Sequence, residues 1–248
     1  MSEALRTLLT RELRCNVSDA YEYPVALSRL GDGDSRDAQT TRALAWIAAQ
    51  GRAPLVIVTP RRDVPAGWLK RAVTTPGTTH LTWRGLSVGT LAGRRVVHAW
   101  PDRQHLNDLW DADAAALVVI EWGEPSTADW VIEASPDLLQ PNQTVLSGST
   151  PTVEPVDLPD DVDAILQSVA GWSAGYSSGL KWNEEDKLKA DMMNRPTRWQ
   201  GVTVEQLRAR CRELGMKPND IDAIAGFMQR RKDGRRFNVR STYRGFHW

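Results

Sequence analysis

Two short runs, APLVIVTP (53–60) and AAALVVIEW (114–122), most narrow the folds open to this chain. Each is apolar throughout and rich in β-branched residues. Neither shows the alternation of a strand with one wet face. A strand reads this way when both its faces are covered, as in a parallel sheet between layers of helix. THLTW (79–83) and RRVVHAW (94–100) read as further strands, and QTVLSGSTP (143–151) as a last one. Helical spacing fills the gaps at 37–50, 61–73, 102–113 and 128–139. Residues 1–30 read as mostly helical, turning at YEYPVAL (21–27). Strands alternating with helices predict an α/β domain with a parallel sheet over residues 1–151.

The pattern changes after Pro151. TPTVEPVDLPDDVD (150–163) has acids and prolines but no basic residue, and residues 152–164 read as an acidic, Pro-rich linker. The remainder, 165–248, reads as a small, mainly helical domain. Its helices are PDDVDAILQSVAGW, NEEDKLKADMMNR, TVEQLRARCRELG with a Thr203 cap, and DIDAIAGFMQRRK after the turn MKPN.

Charge is uneven. The whole chain is formally neutral, but its last stretch, RRKDGRRFNVRSTYRGFHW (230–248), holds Arg230, Arg231, Lys232, Arg235, Arg236, Arg240 and Arg244 against Asp233 alone. Phe237, Tyr243, Phe246 and Trp248 interleave with these cations. Cations neutralise phosphates and aromatics stack on bases, so this composition suits a nucleic-acid arm. It equally suits a segment that docks on its own domain or on a partner protein, or one that only solubilises the chain.

GDGDS (31–35) has the glycine spacing of a phosphate-binding loop leading into a helix. Such a loop aims backbone N–H groups at phosphate, adds a lysine charge, and holds magnesium on a Ser or Thr hydroxyl. Gly31, Gly33 and Ser35 fit; Asp34 stands where the lysine would. The inversion removes an attraction and adds a repulsion, each on the order of 4 kcal/mol at ~4 Å and an effective dielectric of ~20, before solvation offsets it.

The neighbours sharpen this reading. LVIVTPRRDVPAGWLKRAV (55–73) has a strand, a Thr-Pro-Arg turn and a helix. AAALVVIEWGE (114–124) has an apolar strand ending in an acid, and TVLSGSTP (144–151) has a strand ending in small hydroxylic residues. In this order they resemble the motifs of one RecA-like lobe of superfamily 2 helicases, over roughly residues 20–151. The resemblance implies a P-loop-type fold in which Thr59, Arg61 and Arg62 touch nucleic-acid backbone; a solvated arginine pair after a strand is the alternative. The pattern departs from the family at Asp34 and at Glu121-Trp122, where the Walker B acids are expected, and a second motor lobe is missing. The expectation is a relic site, Gly31, Gly33, Asp34, Ser35, Glu121 and Trp122, with no catalysis and no cofactor. Residues 201–231 resemble a SAP-type helix–loop–helix, a small DNA-binding unit, without its usual Gly-x-Lys; an ordinary helical hairpin has the same apolar stripe.

The four histidines and two cysteines, Cys15 and Cys211, show no metal spacing, and no metal is expected. His98 reads as structural. No run is long enough to span a bilayer, no signal peptide is evident, and a cytoplasmic location is expected. Together these readings predict a non-motor, DNA-associated accessory protein of replication or recombination, of a phage or mobile element. Its partners would be DNA or a DNA-processing protein such as a recombinase or replisome component. The alternatives are a protein–protein adaptor without DNA affinity and a residual nucleotide binder or NTPase.

Overall fold

The structure, a computed structural model, describes residues 21–65, 67–123, 127–141, 157–174 and 179–248. The chain divides into two compact units, 1–151 and 152–248.

The first unit is an α/β layer structure. Its strands are β1 (Val25–Ser28), β2 (Leu55–Thr59), β3 (Thr78–Thr82), β4 (Arg95–Ala99), β5 (Ala116–Ile120) and β6 (Asp137–Leu139). They form one sheet in the order β3-β2-β4-β5-β1-β6, with every pairing parallel. The continuous apolar runs follow from double-sided burial. Along β5, Leu117 and Val119 enter one core while Ala116, Val118 and Ile120 enter the other. Val56, Val58 and Val25 join the first face, and Ile57, Val97 and Ala26 the second. The second face is covered by α1 (Arg36–Ala49), through Ala43, Trp46 and Ile47, and by α2 (Trp68–Thr74), through Leu69. Leu106 of α3 (Arg103–Asn107), and Trp130 and Ala134 of α4 (Ala128–Ala134), cover the first.

Four expectations for this unit change. Residues 25–28 form strand β1 between β5 and β6, not a turn; four residues flanked by Tyr23-Pro24 are too few to show a period. The segment 128–139 is helix only to Ala134, because Ser135 takes a left-handed φ of 44° and Pro136 follows, releasing β6. The helix expected over 61–73 begins at Trp68, after Gly67 at φ 134°. Asp37 Oδ1 accepts from Trp68 N–H there, so a carboxylate of α1 caps α2, and a side chain at residue 67 would collide with it. The helix expected over 102–113 shortens to Arg103–Asn107, capped by Asp102. The last strand expected at 143–151, the helix before residue 21 and Cys15 lie outside the described residues.

His98 of β4 is fully buried, and neither ring nitrogen has a hydrogen-bond partner among the described residues. Burial, with a smaller push from His105, lowers its pKa to about 3. The neutral ring is therefore the folded form, while the unfolded chain takes up a proton below its ordinary pKa of about 6.5. Stability is full above that value and falls as pH drops from about 6.5 toward 3, with a limiting slope of about 1.4 kcal/mol per pH unit. Between pH 7 and 5 the ring's share of the loss is about 2 kcal/mol. Urea unfolding of the native protein and His98→Leu at both pH values should show that share missing from the variant.

The second unit is helical: α5 (Asp160–Ala174), α6 (Trp182–Asn194), α7 (Val204–Glu213) and α8 (Pro218–Lys232). Thr203 caps α7 in a capping box with Gln206. The acidic stretch read as linker to residue 164 is already helix from Asp160. Asp160, Asp161 and Asp163 occupy its first turn, where the helix dipole favours negative charge. Arg198 pairs with Asp161 and Arg210 with Asp163. Leu166, Leu188, Trp199, Leu207, Ile224 and Met228 meet in one core. Cys211 is buried there, and burial raises its thiol pKa to about 12, so it is not a ready nucleophile. No helix among the described residues is long and apolar enough to cross a membrane.

Candidate functional site

All six strands of the first unit run the same way, so the loops after β1, β2, β4 and β5 leave a single edge of the sheet. In open α/β sheets this carboxyl edge is where ligands bind. It carries every site residue expected in this unit: Gly31, Gly33, Asp34 and Ser35 after β1, Thr59, Arg61 and Arg62 at the end of β2 and beyond, and Glu121 and Trp122 after β5.

The glycine loop is a tight turn that holds its own anion. Asp34 N–H donates to Gly31 O at 3.1 Å. Ser35 N–H donates to the Asp34 carboxylate at 3.0 Å, and Arg42 of α1 pairs with the same carboxylate. The Arg42 hydrogen bond holds the Asp34 carboxyl below the usual carboxylate range. Ser35 Oγ caps α1 by accepting from Ala38 N–H at 3.1 Å. Two first-turn donors that could face a phosphate are thus taken by the loop's own oxygens. Gly31 also has a local reason to be glycine: a Cβ there would sit 2.7 Å from the Pro141 ring.

Glu121 is occupied in the same way. It is buried, pairs with Arg29 at 3.0 Å and accepts from the Thr127 hydroxyl. Gln39 donates to the backbone oxygens of Ser28 and Glu121, tying α1 to the ends of β1 and β5. A carboxylate with two such partners is a strut, not a free base.

Beside this closed network the edge opens into a pocket of about 390 Å³, lined by Thr59, Pro60, Arg61, Asp63, Val64, Pro65, Trp100 and Trp122. The two indoles meet edge to face, with centroids 5.4 Å apart. Arg36 lies over Trp122, its guanidinium 4.5 Å from the ring centroid, and donates to the Glu121 and Trp122 carbonyls. Trp122 nevertheless stays 60% exposed. Trp100 adopts φ 59°, a conformation that costs a non-glycine residue about 1–3 kcal/mol. Thr59 is fully buried and its hydroxyl donates to Arg61 O and contacts His80 Nε2 at 2.8 Å. Arg61 and Arg62 are exposed. Thr59 is therefore a support for the turn, and the two arginines are its surface charges.

In the second unit, residues 233–248 are folded onto α6 and α8. Phe237 meets Phe227 edge to face at 6.0 Å, Val239 is buried, and Trp248 packs on the core. Trp248 N–H donates to Asp191, and Asn194 donates to the carbonyls of Arg244 and Phe246. Arg240 pairs with Asp186 and lies 4.1 Å over Trp182. Tyr243 and Phe246 stack edge to face between Trp182 and Trp248. Arg231 donates to the carbonyls of Met192 and Pro196. Of the residues expected to meet nucleic acid or a partner, these aromatics, Arg231 and Arg240 are used within the unit.

Arg230, Lys232, Arg235, Arg236 and Arg244 are exposed, and no carboxylate among the described residues pairs with them. Arg231, Arg235 and Arg236 line a second pocket of about 500 Å³, with Met192, Met193, Asn194 and Pro196 on its other wall. In the first turn of α8, buried Asp220 accepts from Leu180 N–H.

The residues that sequence reasoning missed are the partners: Arg36, Arg42, Gln39 and Trp100 in the first unit, and Asp191, Asn194 and Arg198 in the second. Among the described residues no three His, Cys, Asp or Glu side chains are placed to hold a metal ion. No protein-family model matches the chain, and neither a curated protein nor a solved structure is significantly similar to it.

Proposed function

We propose that the chain is a non-motor, DNA-associated accessory protein of replication or recombination, in which the second unit contacts DNA phosphates. The observation that carries this reading is the set of five exposed cations, Arg230, Lys232, Arg235, Arg236 and Arg244, held on a folded surface without carboxylate partners among the described residues. Surface cations normally mix with acids; here Asp233 is the one acid within the segment, and such an excess of positive charge is suited to a polyanion. The first unit is read as its non-catalytic companion. Its phosphate loop is filled by the Asp34–Arg42 pair and its Glu121 is locked by Arg29 and Thr127.

Duplex binding by the full chain, measured by fluorescence anisotropy across a salt series, tests this. Arg235→Glu/Arg236→Glu should weaken binding at least tenfold at low salt and flatten the log–log salt slope by about 2, roughly one for each phosphate no longer neutralised. Unchanged affinity in the variant would remove the proposal's physical basis.

One observation favours the adaptor reading: Trp172 and Trp182, in α5 and α6, are 58% and 54% exposed, and exposed indoles are frequent interface anchors. That reading gains if the chain binds no DNA at low salt.

A further inference from the structure

The pocket between Trp100 and Trp122 is not explained by anything the first unit needs for its own stability. We infer that it is a stacking site for an unpaired base of single-stranded DNA, with Arg61 and Arg62 meeting the flanking phosphates. It rests on the DNA-associated reading for the kind of polymer, but on no residue of the second unit.

Position comes first: the pocket opens at the carboxyl edge of a parallel sheet, beside the switch between outward- and inward-running connections. The Trp122 ring is also preorganised. An exposed indole on a loop would normally swing freely. Here Arg36 lies over the Trp122 ring and is itself pinned by two carbonyls, while Trp100 meets that ring in a T-shaped contact. The ring is held in place and still left mostly bare. Strain points the same way: Trp100 keeps an unfavourable φ, and its indole N–H is buried without a partner among the described residues. Outliers of this sort collect at binding sites, because a fold that needed only a turn would place glycine there.

The lining selects the ligand. Thr59-Pro60, Val64-Pro65 and the indoles give apolar walls, and Arg61 is the cation of the lining, with exposed Arg62 next to it in the chain and Arg36 over Trp122; Asp63 is offset by Lys70. An apolar slot with arginines at its lip matches a planar base joined to phosphates. A proline-rich peptide would use the walls but leave the arginines idle. A duplex offers no free base face, and the size of the slot suits one nucleotide. The glycine loop is a poor seat for the phosphates, because the Asp34 carboxylate stands there, accepting from Ser35 N–H and paired with Arg42. The strand would instead run past Arg61 and Arg62.

The test uses the full chain with a short labelled oligothymidylate, the matching duplex, and thymidine monophosphate as competitor. Trp122→Ala should lower single-strand affinity by about 5- to 150-fold, the range for losing one stacked base. Trp122→Phe should recover most of it, and duplex affinity and the salt slope should not move. The fold should survive: the side chain is exposed, and Arg36 keeps its two backbone acceptors. An unchanged thermal midpoint checks this. Equal loss for single strand and duplex, or no loss for either, overturns the inference. So does thymidine monophosphate competing as well as the strand, which would make the occupant a free nucleotide. If single strands do not bind while duplex binding persists and depends on Arg235 and Arg236, this site fails and the second unit's role stands. If Trp122 matters and those arginines do not, the reverse holds.

Discussion

Replacing Asp191 with alanine should cost about 3–5 kcal/mol of the second unit's stability, the range for removing one member of a buried ion pair. Asp191 has no exposed surface. One carboxylate oxygen accepts from the Arg198 guanidinium at 2.8 Å and from Trp248 N–H at 3.0 Å; the other accepts from Trp199 Nε1 at 2.8 Å. The three donors come from α6's own C-terminal neighbourhood and from the last residue of the chain. Alanine removes the shared acceptor of all three. Arg198 keeps Asp161 and the Trp248 carbonyl, so its charge is not abandoned. The fully buried Trp199 indole has no such reserve. Asp191→Asn keeps the shape and one acceptor, and should cost roughly 1–3 kcal/mol, the penalty of an unsatisfied buried donor. Denaturant unfolding, with hydrogen exchange of α6 amides as the local probe, separates this unit's loss from any change in the first. A variant as stable as the native protein would mean that Asp191 does not hold the C-terminal segment down.

What could be read ahead of the structure depended on range. β2, β4 and β5 were legible because double-sided burial makes each strand apolar without reference to any other segment. α1 was legible from the helical spacing over 37–50, and α7 from its cap, Thr203. β1 and β6 were not, since strands of four and three residues carry no period, and both are stabilised by pairing, β1 with β5 and β6, and β6 with β1. The same limit governs the site. The anomaly at Asp34 was visible as a lone acid in a glycine loop. Its partner Arg42 stands eight positions on and is recognisable only once α1 has turned it back toward the loop. Trp122 was read as a lost catalytic acid; that it is a braced, open ring depends on Arg36 and Trp100, which come from two other segments.

The C-terminal segment shows how composition alone leaves alternatives open. Cations interleaved with aromatics suit an arm as well as a segment docked on its own domain, and only an arm can be cut off without harm to the body. Cutting after Gln229 should instead abolish the second unit's cooperative unfolding. The cut removes buried Val239 along with Phe237 and Trp248, which pack on the core. It also deletes the Arg231 clamp on Met192 and Pro196, and leaves Asp186 and Asp191 without Arg240 and the Trp248 amide. Full burial of a large apolar side chain contributes about 1.5–3 kcal/mol, so three such groups, two of them only partly covered, amount to roughly 4–6 kcal/mol. A domain's whole stability is about 5–15 kcal/mol. The shortened chain should therefore lose the α6 and α8 exchange protection and part of its helical circular dichroism, while the first unit's transition stays in place. Under the proposed function DNA binding would disappear too, but the cut unfolds the unit and removes its five exposed cations together, so the loss would not tell the two causes apart. If the shortened chain kept a native-like second unit, the packing of residues 230–248 would be worth far less than their burial indicates, and the segment would after all behave as a separable arm. The double charge reversal at Arg235 and Arg236 avoids this confusion. Both side chains are exposed, so the variant changes what the surface offers a polyanion while the fold that presents it is left standing.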